Sequence, residues 1–90
     1  MARVERDFVR FPVLLWVSEN VREFRAQRGW TQAQLANVAA VGLAYLNSIE
    51  NRHGSPSLEV LTNLALALDC TVADLVENPE VRRERGGGLR

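Results

Sequence analysis

Ninety residues, 47% of them apolar, with a formal net charge of zero, describe one small domain able to close a core without metal or disulfide support. The neutral balance demands no acidic partner. The single cysteine, Cys70, excludes an internal disulfide and suits a reducing compartment.

All eleven basic residues are arginine. Arginine suits bidentate contacts to phosphate or carboxylate, but its exclusive use here reads first as codon bias. The most apolar run, "FPVLLWV" at 11–17, is too short to span a bilayer or to serve as a flanked signal core, and charged residues follow at once. The expectation is a soluble, cytoplasmic chain with no membrane association.

Residues 1–11, "MARVERDFVRF", alternate charged and apolar types, and the pattern leaves a free arm, an edge strand and a helical turn all open. Pro12 fits the first position of a helix, where its missing N–H is harmless. Leu14, Val17, Val21 and Phe24 then recur at helical spacing, and Gly29 should stop the run. Thr31 and Gln34 form a capping box that starts a second helix with Leu35 and Val38 inward. "AAVG" at 39–42 is the turn into a third helix, from about Gly42 to Glu50, with Leu46 and Ile49 inward and Val41 packing from the turn.

"NRHGSP" at 51–56 reads as a loop, and Ser57 can cap a fourth helix whose buried stripe is Leu58, Leu61, Leu64, Ala65 and Leu68. Thr71 and Asp74 make a second capping box for a short fifth helix, which the "NP" pair at 78–79 should end. Trp16 and Trp30 are expected in or near the core, Trp30 as the staple residue before the cap at Thr31. Residues 79–90, charged and then Gly-rich, read as a flexible tail after a domain at 12–78.

From about Asn20 to Val76 the chain resembles the Cro/phage-repressor type of helix-turn-helix protein, the XRE family. The resemblance is carried by "REFRAQRGWTQAQLA", "YLNSIEN" and "PSLEVLTNLALALDCTVADLV". It implies an all-α, compact five-helix, lambda-repressor-like DNA-binding domain. It further implies a transcription regulator that reads a palindromic operator as a homodimer, its third helix lying in the major groove of double-stranded DNA.

Carried onto this chain, the resemblance makes Thr31 and Gln32 a phosphate contact at the start of the second helix, and Arg25–Glu50 a buried structural ion pair. Base-reading positions fall at Gly42, Leu43, Ala44, Asn47 and Ser48. Leu43 and Ala44 stand where the family commonly has hydrogen-bonding side chains, so they can offer only apolar contact to a thymine methyl, while Asn47 can bridge an adenine edge. Asn51, Arg52 and His53 would touch the sugar-phosphate backbone, and Tyr45 is a rim packing residue. Arg52 replaces a family glycine at the helix end, so the turn is either mildly strained there or shifted to use Gly54.

Val60, Leu66, Val72 and Val76 are the candidate homodimer patch. A different class of function remains open: a module of the same fold, such as an antitoxin, that binds a partner protein through Leu43, Ala44 and Tyr45. One histidine, one cysteine and no convincingly spaced carboxylate pair argue against an enzyme, a metal site or a cofactor.

Overall fold

In the computed structural model, which describes residues 12–51 and 54–86, six helices pack about one core. They are α1 (Pro12–Gln27), α2 (Gln32–Ala39), α3 (Leu43–Glu50), α4 (Leu58–Leu68), α5 (Val72–Val76) and α6 (Pro79–Arg85). Among the described residues there is no strand, and no helix is long and apolar enough to cross a membrane. The proposed arm at 1–11 and the residues Arg52 and His53 lie outside the described residues.

The boundaries follow from local chemistry. Gly29 takes a left-handed φ of 69° and ends the turn after α1. Thr31 accepts a hydrogen bond from the Gln34 N–H at 3.1 Å while its own N–H donates to Gln34 Oε1 at 2.8 Å, so the reciprocal box forms as the spacing predicts. Thr71 and Asp74 repeat it at 3.0 Å in both directions. Ser57 Oγ accepts from Val60 N–H at 3.1 Å and opens α4.

α1 is the pillar. Its Val17, Val21 and Phe24 enter the core with Leu35 of α2, Leu46 and Ile49 of α3, Leu61, Leu64 and Leu68 of α4 and Leu75 of α5. Trp30, Val60, Val72 and Val76 lie half-buried against this core, with Cys70 beside them.

Three expectations need correction. Val38 points outward and is 54% exposed, because the inward stripe of α2 runs through Leu35, Ala36 and Ala39. That places Val38 roughly a quarter-turn off the stripe, and the small alanines let α2 approach its neighbours closely. Leu58, also expected inside, is 76% exposed; it occupies the first position of α4, where a side chain tilts toward the helix start and away from the core. Residues 79–85 are helical where a flexible tail was expected.

Pro79 sits at the first turn of α6, and Asn78 Oδ1 caps the helix by accepting from Glu80 N–H at 2.9 Å. The "NP" pair thus stands between α5 and the start of α6. Arg82 is fully buried against α1, its Nε donating to Asn20 Oδ1 at 2.9 Å, its Nη2 2.8 Å from Glu23 and its guanidinium over the Phe24 ring. Asn20 in turn donates to the carbonyls of Leu75 and Glu77 at 3.0 and 2.8 Å, tying α5 and α6 to the pillar through one side chain.

Candidate nucleic-acid interface

The turn between α2 and α3 is set by backbone chemistry. Ala40 takes the left-handed conformation at φ 58°, and the Val41 N–H reaches back to the Ala36 carbonyl at 2.9 Å, closing the end of α2. Val41 is buried, anchoring the turn. Gly42 then caps α3 with its backbone alone: no side chain satisfies the first N–H groups of the helix. A Cβ at Gly42 would meet nothing within 4 Å, so this helix start opens onto solvent.

The residues around that opening are exposed. Leu43 is 50% accessible, and Ala44, Tyr45 and Asn47 are exposed beside it. Ser48 is half-buried, with Gly54 backed so closely against it that a Cβ there would come to 2.9 Å from Ser48 Oγ. Glycine at 54 therefore lets the loop fold against α3. Thr31 is exposed and Gln32 half-buried.

Behind this face lies a chain of polar contacts. Arg25 Nε and Nη2 donate to the two oxygens of the buried Glu50 carboxylate at 2.8 and 2.9 Å, the fork geometry expected of an arginine–carboxylate pair. Arg25 Nη1 also donates to the Trp30 carbonyl at 2.9 Å. Ser18 Oγ donates to the Glu50 carbonyl at 2.6 Å, fixing the end of α3 to α1.

From Glu50 the contacts run outward. Gln32 Nε2 donates to Glu50 Oε1 at 2.9 Å, Asn47 Nδ2 to Gln32 Oε1 at 3.1 Å, and Asn51 Nδ2 to Asn47 Oδ1 at 3.0 Å. The family resemblance implies the ion pair but not this relay, which links positions on two helices. Its one legible sign is the presence of three amide side chains, Gln32, Asn47 and Asn51, close to Glu50 along the paired helices.

Among the described residues, this face is nearly without charge. Residues 31–51 contain no lysine or arginine, and their one acidic group is Glu50, which Arg25 already balances. The charged groups lie elsewhere: Arg83 of α6 bridges Glu19 and Glu23 of α1 at 3.1 and 2.8 Å, and Arg85 pairs with Glu77. Arg28 stacks over Trp30 at 5.2 Å and donates to the Leu68 carbonyl at 3.2 Å.

Of the four candidate dimer residues, Val60, Val72 and Val76 are half-buried on their own core, whereas Leu66 is 75% exposed. Leu66 lines a shallow groove of about 360 Å³ with Val38, Ala39, Ala40, Asn63 and Ala67. Among the described residues no cluster of His, Cys, Asp and Glu could hold a metal ion.

A helix-turn-helix family model matches residues 21–75. The HTH-type transcriptional regulator DdrOP3 of Deinococcus deserti is 36% identical over 70 residues, which cover 78% of this chain and 54% of that protein. This chain thus spans about half the length of that relative. Control protein C.SmaI of Serratia marcescens is 31% identical over 70 residues, 78% of this chain and 83% of its own. The crystal structure of a hypothetical transcription factor from Neisseria has a TM-score of 0.77 at 25% identity, covering 81% of this chain and 84% of that one.

Proposed function

Because the chain belongs to the XRE-type helix-turn-helix family, whose model spans residues 21–75, we propose that it is a DNA-binding transcription regulator rather than an enzyme. The observation that carries this reading is the uncapped, solvent-facing start of α3, with Leu43, Ala44 and Asn47 exposed around it. A short helix held rigidly by Ser18, Arg25 and Val41 can enter a major groove with its leading residues against base edges.

The free N–H groups at the starts of α2 and α3 face where phosphates of the duplex would lie, and they suit an anion without needing a cation. Leu43 and Ala44 contact thymine methyls, and Asn47 contacts an adenine edge. Thr31, Gln32 and Asn51 position the DNA backbone, joined by Arg52 and His53, while Gly42 and Ser48 stand with the base-reading positions, Ser48 able to bond either a base or a phosphate. Gln32 holds α3 through Glu50 with one amide N–H, and its second N–H remains for a phosphate.

The regulator works as a homodimer on a palindromic site. Leu66, with Val38 and Ala40 beside it, is the part of the candidate interface that remains open to a second copy. Two reading helices about 34 Å apart would then enter successive major grooves. Its place of action is the cytoplasm.

A second reading has its own support. The absence of lysine and arginine from residues 31–51, with Leu43 and Tyr45 exposed, also suits a partner protein docking on α3.

Selection of bound duplexes from a random library separates the two. The DNA reading predicts a preferred site in two inverted halves spaced by one helical turn. Recovery of unselected duplexes, or of none at low salt, would favour the protein-partner reading.

A further inference from the structure

The relay from Glu50 to Asn51 has only one workable polarity. A carboxylate can accept hydrogen bonds but not donate them, so Gln32 must turn its NH2 toward Glu50. The Gln32 oxygen then faces Asn47, which must answer with its own NH2, leaving the Asn47 oxygen to accept from Asn51. Reversing any one amide would set oxygen against oxygen or N–H against N–H. The buried charge of Glu50, itself fixed by the Arg25 fork, therefore determines which way the exposed Asn47 amide, two contacts away, presents its donor and acceptor.

Asn47 keeps capacity after these bonds: a second N–H on Nδ2 and a second lone pair on Oδ1. That pair of groups is what adenine requires in the major groove, where N7 accepts and N6 donates. An Asn47 free to rotate would have to be ordered on binding, with its amide as often reversed as correct; one held by Gln32 arrives already set.

Resting on the DNA reading above, we propose that Asn47 is the specificity-determining residue for an A·T pair, and that Gln32 and Glu50 are positioning residues that orient it through the amide relay.

Duplex selection with the full chain tests this, comparing the parent with Asn47→Ala, Gln32→Met and the double variant. Methionine keeps the length of the side chain but removes both amide contacts. Asn47→Ala should lower the preference for A·T at one base pair of each half-site by roughly tenfold. Gln32→Met should relax the same base pair by several-fold, and should add nothing at that base pair when Asn47 is already alanine.

Gln32→Met will also weaken binding generally if its second N–H meets a phosphate, but a phosphate contact cannot change the ratio between bases at one position. An unchanged ratio in Gln32→Met would overturn the relay while leaving the DNA reading intact. A parent with no base preference would overturn both. If Gln32→Met fails to fold, Gln32→Ala, a good helix former that also removes both amide contacts, makes the same comparison; an unchanged ratio there would overturn the relay in the same way.

Discussion

α1 is clamped on two sides, and the two clamps use the same chemistry for different ends. Toward α3, Ser18 and Arg25 grip Glu50, and from that fixed charge a line of neutral amides leads out to an exposed, uncharged face. Toward α6, Asn20, Glu19 and Glu23 meet Arg82 and Arg83, and the charges largely neutralise one another in place. Among the described residues, arginine therefore marks the joints between helices more than the surface formed by residues 31–51. Net charge, which weighs all arginines alike, says little about where a duplex would bind.

The contrast can be broken at either clamp. The largest effect should come from Glu50→Ala, which leaves the Arg25 guanidinium facing an apolar gap and releases Gln32. A loss of about 3–5 kcal/mol is expected, as for a buried pair with one partner removed. Urea unfolding measures it, and a midpoint equal to the parent's would show that the pair does not hold α3.

Asn20→Ala should cost less, about 2–3 kcal/mol, because it orphans the Leu75 and Glu77 carbonyls and the Arg82 Nε. Its signature is local: hydrogen exchange of α6 amides should quicken well before that of α2 and α3. Uniform quickening along the chain would place Asn20 in the core at large rather than at a separate joint.

The α6 clamp should also respond to acid. Glu23 is held below the ordinary carboxylate value, first by the hydrogen bond from Arg83 and then by the nearby charges of Arg82 and Arg83, against an opposing push from burial. A group lowered in this way lends its stability in full above the ordinary glutamate value and loses it as the pH falls below that value. Acidification should therefore loosen α6, and Glu23→Gln should be looser at neutral pH and flatter in its acid response. Parallel acid profiles for the two proteins would contradict the assignment.

The smallest effect on folding sharpens the other side of the comparison. Gly42→Asp supplies the side-chain cap that α3 lacks and should raise stability by a few tenths of a kcal/mol. The same carboxylate would stand against a phosphate, so duplex affinity should fall for every sequence even as the protein becomes more stable. Unimpaired binding by this variant would remove the start of α3 from the interface.

α1 to α5, both capping boxes and the Arg25–Glu50 pair are legible because each depends on residues at fixed short spacing or on a resemblance covering most of the chain. Val38 and Leu58 were misplaced for a different reason. Hydrophobic periodicity marks a face only to within about a quarter-turn, and in a short helix or a first turn the tertiary neighbours decide which edge goes inside. α6 escapes the sequence reading because "NP" reads as a stop, although the same logic that places Pro12 at a helix start applies to Pro79.

The deeper sign of that clamp was Asn20. It sits between Val17 and Phe24 on the buried stripe of α1, where an amide needs partners brought from elsewhere in the chain. The amide relay left no comparable mark, since Gln32, Asn47 and Asn51 each look solvated until α2 and α3 are brought together.

The sharpest test is to follow backbone amide shifts of the labelled protein as the selected duplex is added. Binding through the neutral face predicts perturbations concentrated at residues 31–34 and 42–51, with α6 silent. Perturbations centred instead on Arg83 and Arg85, with Leu43, Ala44 and Asn47 unmoved, would mean that the arginine-rich side meets the DNA and that the role assigned to α3 is wrong.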